Sequence, residues 1–268
     1  MALIQNNPRF TSREIAKILK ISKSAVLLHL EKLGMVNRYD VWVPHNLSDK
    51  NLMDRVFACT LLLNRNDNDP FLKRLVTGDE KWIVYNNAKR KRHWSRPGNA
   101  SLSTPKVGLH SKKVMLSVWW DYKGIIYYEL IPDNEMINSD KYCSQLDQLK
   151  LVIDKKRSAL ANRKGVIFHQ DNARPHVSIR TQEKLRELGW DILIHPSYSP
   201  DLVPSDYHLF RSLQNTLNGK NFNCLGAVQN HISNFFESKS NSFFSKGIFN
   251  LPNRWQTVIN ENGTYILE

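Results

Sequence analysis

The order of strand and helix patterns in the second half of the chain is the strongest constraint on its fold. Runs of apolar, β-branched and aromatic residues predict a meander of three strands, at 76–87, 112–120 and 124–131. Helical and strand patterns alternate after the meander, with helices at 138–160, 175–189 and 205–219 and strands at 165–172 and 191–195. The order β-β-β-α-β-α-β-α predicts an α/β fold with a mixed sheet flanked by helices.

This order of elements is that of the ribonuclease-H-like fold. Acidic residues lie at positions where functional sites form in such a sheet. Asp171 ends a predicted strand, and sites in open α/β sheets collect at the carboxyl ends of strands. Asp79 lies near the start of the first strand and Asp206 in the first turn of a helix, so the fold could bring all three together. Converging carboxylates repel one another unless cations neutralise them.

A site of this kind predicts divalent-cation chemistry. Mg²⁺ binds to one or two carboxylates plus substrate phosphate. Two ions ~3.5–4 Å apart activate an attacking hydroxyl and stabilise the leaving oxygen of a phosphodiester. On spacing alone an ordinary role stays open, as a turn former for Asp171 and as a helix N-cap for Asp206. We expect Glu80 to be a solvated neighbour and Asp201 to be a turn residue.

The charge balance indicates a polyanionic partner. The chain has 38 Lys and Arg against 25 Asp and Glu, a formal net charge of +13, which favours nucleic acid or an acidic membrane surface.

No apolar run approaches the ~18 residues of a membrane span, and the first residues lack a signal-peptide pattern, which disfavours a secreted protein. The three Cys are far apart and no zinc or P-loop motif occurs. These absences exclude a disulfide scaffold, a zinc finger and a P-loop enzyme.

Residues 11–34 predict two short amphipathic helices that meet at a turn near Lys20. This is the pattern of a helix-turn-helix, whose second helix enters the major groove of DNA. The residues expected to contact DNA are Arg13, Lys23, Ser24, and Leu28 or His29. A small helical pair with a solvated basic face is the alternative that the spacing leaves open.

Several long motifs closely resemble those of the mariner-type transposases of eukaryotes. They are VTGDEKW, HSKKVMLSVWWDYKGIIYYEL, HQDNARPH, YSPDLVPSDYHLF, WVPHNL after the helix-turn-helix, and the tail KGIFNLPNRWQTVINENGTYI. The second and third catalytic Asp of the family are separated by 34 residues, as Asp171 and Asp206 are here, and the first matches Asp79. The resemblance therefore implies that these three residues are catalytic and hold Mg²⁺, for which Mn²⁺ can substitute.

The resemblance also implies a cut-and-paste DNA transposase. Such an enzyme acts in the nucleus as a homodimer, holds double-stranded terminal inverted repeats, cleaves both strands and joins the 3′ ends to a TA target. The basic insertion at about 87–111 matches the loop that mariner dimers exchange. Its expected phosphate contacts are Lys89, Arg90, Lys91 and Arg92; a solvated basic hairpin is the alternative. The residues expected to contact the dimer partner or DNA are Trp42, His45 and Trp94. Arg174 and His176 either approach the scissile phosphate or serve as capping and surface residues.

Three segments are expected: a helix-turn-helix domain at 1–40, a linker and helix at 41–75, and a catalytic domain at 76–268. Family members carry two helix-turn-helix units, and only the second matches here. We therefore expect a shortened copy that nicks DNA but is impaired in complete transposition. One alternative is a domesticated or decayed copy that only binds DNA and dimerises. Another is a ribonuclease-H-like nuclease that acts on RNA–DNA hybrids.

Overall fold

The computed structural model describes residues 1–36, 43–88, 111–132, 135–158, 160 and 165–267. The chain divides into two compact units, Met1–Trp42 and Val43–Glu268. None of the helices in these described ranges has the length and apolar character that a bilayer crossing requires.

The first unit contains the predicted pair of helices and one short helix before them: α1 (Ala2–Asn6), α2 (Ser12–Leu19) and α3 (Lys23–Lys32). Thr11 and Glu14 form a reciprocal capping box at the start of α2. The Ser22 side chain caps α3 by accepting from the backbone N–H of Ala25 at 3.1 Å. Lys20 takes a left-handed conformation with φ 54° between the two helices, where glycine is more usual.

The second unit is built on a mixed sheet, as predicted. Its strands are β1 (Leu75–Val84), β2 (Lys113–Asp121), β3 (Gly124–Pro132), β4 (Ile167–His169) and β5 (Asp191–Ile192). The spatial order is β3-β2-β1-β4-β5. The first three strands form an antiparallel meander. On the other side of β1, β4 pairs with β1 in parallel, and β5 pairs with β4 in parallel. The central strand β1 is therefore flanked by one antiparallel and one parallel neighbour.

Helices cover both faces of this sheet. They are α4 (Asp49–Asn68), α5 (Ser139–Lys156), α6 (Arg174–Val177), α7 (Ile179–Glu187), α8 (Arg211–Leu217), α9 (Leu225–Glu237), α10 (Asn241–Phe249) and α11 (Leu251–Asn260). Trp119 and Trp120 are consecutive in β2 and both 0% exposed. Because successive strand residues point to opposite faces, Trp119 packs in the core beneath α5 and α7, and Trp120 in the core beneath α9 to α11.

Three details differ from the sequence expectations. The helix predicted at 175–189 is divided, because Ser178 ends α6 and accepts from the Thr181 N–H at 3.2 Å to cap α7. The strand predicted at 191–195 is shortened to two residues. Helix α4, expected in a linker segment, lies in the same unit as the sheet, since its Leu62 is part of the core on one face of that sheet.

Candidate catalytic site

Parallel pairing of β1 with β4 brings Asp79 and Asp171 to the same end of the sheet. Thr77 pairs with His169 in this register, and their Oγ1 and Nδ1 atoms lie 3.0 Å apart. Asp79 lies two residues after Thr77, and Asp171 lies two residues after His169. Asp79 is still within β1 and buried, whereas Asp171 lies just past the end of β4. The sheet register therefore accounts for their convergence, although they are far apart in the sequence.

Asp206 enters the site from a π-helical segment, Ser205–Phe210, that leads directly into α8. The buried Ser205 hydroxyl accepts from Trp120 Nε1 at 3.0 Å, which ties the start of this segment to the sheet. π-helical turns are rare and occur frequently at functional sites.

The three carboxylates perturb one another electrostatically. Burial raises the pKa of Asp79 well above its usual value, and the Asp206 carboxylate raises that pKa further, with smaller contributions from Glu80 and Asp171. Burial also raises the pKa of Asp206 to about 6, and the charge of Asp171 adds to this shift. Each acidic group thus lies within electrostatic reach of the others. This is the arrangement in which like charges disfavour ionisation unless a cation is bound.

Asp171 differs from the other two, because its pKa is lowered. Burial alone would raise that pKa, but hydrogen bonds and the charge of His176 outweigh burial. The Nδ1 atom of His176 lies 2.5 Å from Asp171 Oδ1, and the backbone N–H of Ala173 donates to the same oxygen at 2.9 Å. The other ring nitrogen of His176 lies 3.1 Å from Glu80 Oε2. Burial alone would lower the pKa of His176, but its bonds to Asp171 and Glu80 raise it to about 10.

This contact corrects two sequence expectations. Glu80, expected to be solvated, has a side chain only 14% exposed, because strand alternation points it to the face of β1 opposite Asp79. His176 is 2% exposed and bridges two carboxylates, so it is neither a surface nor a capping residue in this structure. Arg174, at the start of α6, is exposed.

A cavity of about 420 Å³ opens beside the carboxylates, and its lining includes Asp171, Asp206, His195 and Tyr198. His195 was not singled out from the sequence. Its Nδ1 lies 3.4 Å from His169 Nε2, and burial lowers the pKa of His195 to about 4. The imidazole at the wall of the cavity is therefore neutral at physiological pH.

A buried arginine of α4 holds the loop that precedes Asp206. Arg55 is 0% exposed and donates from Nη1 and Nη2 to the two carboxylate oxygens of Asp201, over 2.8 and 2.7 Å. It also donates from Nε to the carbonyl oxygen of Gly263 at 2.7 Å. Asp201, expected to be an ordinary turn residue, is thus half of a bidentate ion pair, which fixes the loop against α4 and the chain's last residues.

No three His, Cys, Asp or Glu side chains among the described residues are gathered closely enough to form a ready-made metal cage. Mg²⁺ does not need one, because it commonly binds to one or two carboxylates and takes its other ligands from water and substrate phosphate. The donor set at Asp79, Asp171 and Asp206 consists of carboxylate oxygens alone, which suits a hard cation and not zinc.

The remaining predicted site residues fall in three places. The candidates for DNA contact in the first unit are all exposed: Arg13, Lys23, Ser24 and His29. His45 stacks on Tyr198 with ring centroids 4.1 Å apart. The others lie outside the described residues: Trp42, Lys89, Arg90, Lys91, Arg92 and Trp94.

Comparison with protein families gives two matches. Residues 84–163 match the family described as "Transposase (partial DDE domain)", and residues 1–34 match the family described as "Winged helix-turn-helix DNA-binding".

Two curated relatives and one solved structure align over nearly the whole chain. Histone-lysine N-methyltransferase SETMAR of Homo sapiens is 43% identical over 264 residues, which are 98% of this chain but only 39% of that protein's length. Mariner Mos1 transposase of Drosophila mauritiana is 38% identical over 266 residues, covering 99% of this chain and 77% of the relative. The crystal structure of the mariner Mos1 paired end complex with Mg superposes with a TM-score of 0.94 at 38% identity, over 99% of this chain and 78% of that one.

Proposed function

The chain belongs to the mariner family of DNA transposases, and from this premise we propose that it cuts and joins DNA at a site formed by Asp79, Asp171 and Asp206. The observation that carries the proposal is the mutual perturbation of these carboxylates. Burial raises the pKa values of Asp79 and Asp206; the charges of Asp206 and Asp171 raise that of Asp79 further, and the charge of Asp171 raises that of Asp206 further. Acidic groups held this close in a cleft are expected where a cation is to be bound.

Divalent ions are the cofactor that this proposal requires, with Mg²⁺ as the natural ion and Mn²⁺ as its substitute. Bound between the carboxylates, they would activate the attacking hydroxyl and stabilise the leaving oxygen of the phosphodiester. The relative's structure with Mg supports this choice of ion.

The protein's own groups prepare the site for such ions. One oxygen of Asp79 accepts from the Glu80 N–H at 2.7 Å, and one oxygen of Asp171 accepts from His176 and Ala173. Each of these carboxylates therefore has its other oxygen left to bind a cation. Because burial raises the pKa of Asp206 to about 6, this group is ionised at pH 7.5 and ready to bind.

The substrate in this proposal is double-stranded DNA: terminal inverted repeats that are cut, and a TA target that receives the 3′ ends. The paired-end complex of the Mos1 relative supports a homodimer that holds two ends. We assign duplex recognition to the helix-turn-helix at 1–40 and catalysis to the region at 76–268, with helix α4 of the 41–75 segment packed against that region. The expected phosphate contacts are the exposed residues of that helix-turn-helix and the basic insertion at about 87–111. A nuclear location follows from this substrate.

A copy that only binds DNA and dimerises is not favoured by any feature of the described residues. Such a copy would be expected to have lost at least one acidic residue of the site, and all three are present.

A plasmid-nicking assay tests the proposal. Supercoiled plasmid is incubated with Mg²⁺ and the protein, and conversion to open circles and linear DNA is followed on a gel. We expect conversion by the unmodified chain and none by Asp171→Asn. Asp154→Asn, which alters an exposed residue of α5 paired with Lys150, is the matched control and is expected to nick normally. Equal conversion by the chain and by Asp171→Asn would refute the proposal.

A further inference from the structure

Two residues outside the acidic triad connect Asp79 with Asp171. The backbone N–H of Glu80 donates to Asp79 Oδ1 at 2.7 Å, and Oε2 of the same glutamate lies 3.1 Å from His176 Nε2. The opposite ring nitrogen of His176 lies 2.5 Å from Asp171 Oδ1. The residue Glu80 is therefore bonded to Asp79 through its backbone and, by way of His176, to Asp171 through its side chain.

We propose that Glu80 and His176 are positioning residues, which hold the Asp171 carboxylate in the orientation that the divalent ions need, on the strand that carries Asp79. This inference rests on the proposed function, because it assumes that both Asp residues bind ions. Within the link each Asp uses its Oδ1 atom. The Oδ2 atom of each carboxylate would remain for a divalent ion to bind.

His176 is held from several sides, as a positioning residue must be. It is 2% exposed, and its ring lies against Tyr142 with centroids 4.2 Å apart. Its backbone carbonyl accepts from Gln170 Nε2 at 3.0 Å, and Gln170 Oε1 in turn accepts from the Tyr142 hydroxyl at 2.8 Å. A ring fixed at so many points sets the orientation of the Asp171 carboxylate that it contacts.

Strand alternation places the Glu80 side chain, whose one polar contact among the described residues is with His176. Its side chain lies on the face of β1 opposite Asp79, where it meets His176. Its second oxygen, Oε1, is buried and has no hydrogen-bond partner among the described residues. A buried carboxylate with one polar partner is costly to fold, so we attribute its presence to the position that it imposes on His176 and not to stability.

Direct measurement of Mn²⁺ binding tests the inference. Mn²⁺ is titrated into the protein without DNA, and the free ion is followed by its electron paramagnetic resonance signal. We expect Glu80→Ala and His176→Ala each to weaken Mn²⁺ binding about 10- to 100-fold, the usual effect of removing a group that orients a metal ligand. Glu80→Gln retains an oxygen that accepts from His176, so it is expected to recover most of the affinity lost in Glu80→Ala.

Two controls separate positioning from general structural damage. Thermal unfolding in EDTA shows whether each variant is folded, and Glu80→Leu, which fills the same space without an acceptor for His176, serves as the test variant if Glu80→Ala does not fold. His231→Ala removes a histidine on α9 that bonds to Thr216 at 3.1 Å, and it is expected to bind Mn²⁺ as the unmodified chain does. In nicking assays the expected change is a higher Mg²⁺ concentration for half-maximal rate, with a smaller effect on the rate at saturating Mg²⁺.

The possible failures are distinguishable. If the unmodified chain and Asp171→Asn bind Mn²⁺ equally, the proposed function fails. If Asp171→Asn loses Mn²⁺ while folded Glu80→Ala and His176→Ala retain full affinity, the acidic site stands and the positioning role is refuted. A Glu80→Gln variant as weak as Glu80→Ala would also contradict it, since the hydrogen-bond acceptor would then be irrelevant.

Discussion

Replacing Asp206 by Asn is expected to stabilise the metal-free protein while abolishing its activity. The pKa of the Asp206 carboxyl rises from 3.8 to about 6 on folding, chiefly because of burial and then because of the Asp171 charge, and this value already includes the opposing attraction of Lys81. An acid whose pKa is raised on folding is harder to ionise in the folded state. Above pH 6 the difference corresponds to about 3 kcal/mol of lost folding free energy, at about 1.4 kcal/mol per pKa unit.

The stability that Asp206→Asn gains is expected to depend on pH. Below pH 3.8 the carboxyl is protonated in both states and costs nothing, and between pH 3.8 and about 6 the unfolded state ionises first, so stability falls as pH rises. Asp206→Asn removes that loss of stability. The variant's extra folding free energy relative to the unmodified chain therefore grows between pH 3.8 and about 6 and is constant above that range. The Asp206 charge also raises the pKa of Asp79, so removing that charge makes Asp79 easier to ionise in the folded protein and stabilises the variant further.

Urea unfolding in EDTA at pH 7.5 and pH 4.5 measures this difference directly. We expect Asp206→Asn to be more stable than the unmodified chain at pH 7.5, by an amount that shrinks at pH 4.5, and to nick no plasmid. Asp154→Asn serves again as the matched control, since its carboxylate is exposed and its charged partner is Lys150. Equal or lower stability at pH 7.5, or a gain that does not change with pH, would refute the electrostatic reasoning.

Three further predictions concern the structure around the site. Gly78→Ala would place a Cβ atom 2.2 Å from Trp119 Cδ1; we expect a loss of about 3 kcal/mol in urea unfolding from this overpacking, and an unchanged midpoint would contradict the register of β1 and β2. Arg55→Met leaves the Asp201 carboxylate without its bidentate partner, and the expected cost is about 3–5 kcal/mol by the same assay; full stability would mean that the loop does not depend on this pair. Burial raises the pKa of the Cys59 thiol to about 12, so iodoacetamide at pH 8 is expected to leave Cys59 unmodified until urea unfolds the chain, as peptide mass spectrometry would report.

The acidic site shows how far sequence reasoning reaches. A strand pattern that ends at Asp171 was enough to identify one member, and the order of elements predicted the mixed sheet. The convergence of Asp79 with Asp171 depends on the pairing of Thr77 with His169, and a register between distant strands is not encoded in either strand's own pattern. The 34-residue spacing that identifies Asp206 came from resemblance to a family and not from physical chemistry.

The residues that sequence reasoning misjudged are those whose partners are distant. The sequence predicts a turn residue at Asp201, whereas its partner Arg55 precedes it by 146 positions. The sequence predicts a solvated neighbour of Asp79 at Glu80. Its burial depends on His176, which the fold of the chain after β4 brings to the opposite face of β1. Alternation along a strand could have shown that Glu80 and Asp79 point apart.

Anomalous diffraction from crystals of the protein with Mn²⁺ and a short DNA duplex tests the central claim most directly. We expect anomalous peaks whose nearest protein atoms are carboxylate oxygens of Asp79, Asp171 and Asp206, with every one of the three in contact with an ion. Mn²⁺ bound only elsewhere, or a site in which one of these carboxylates touches no ion, would contradict the account.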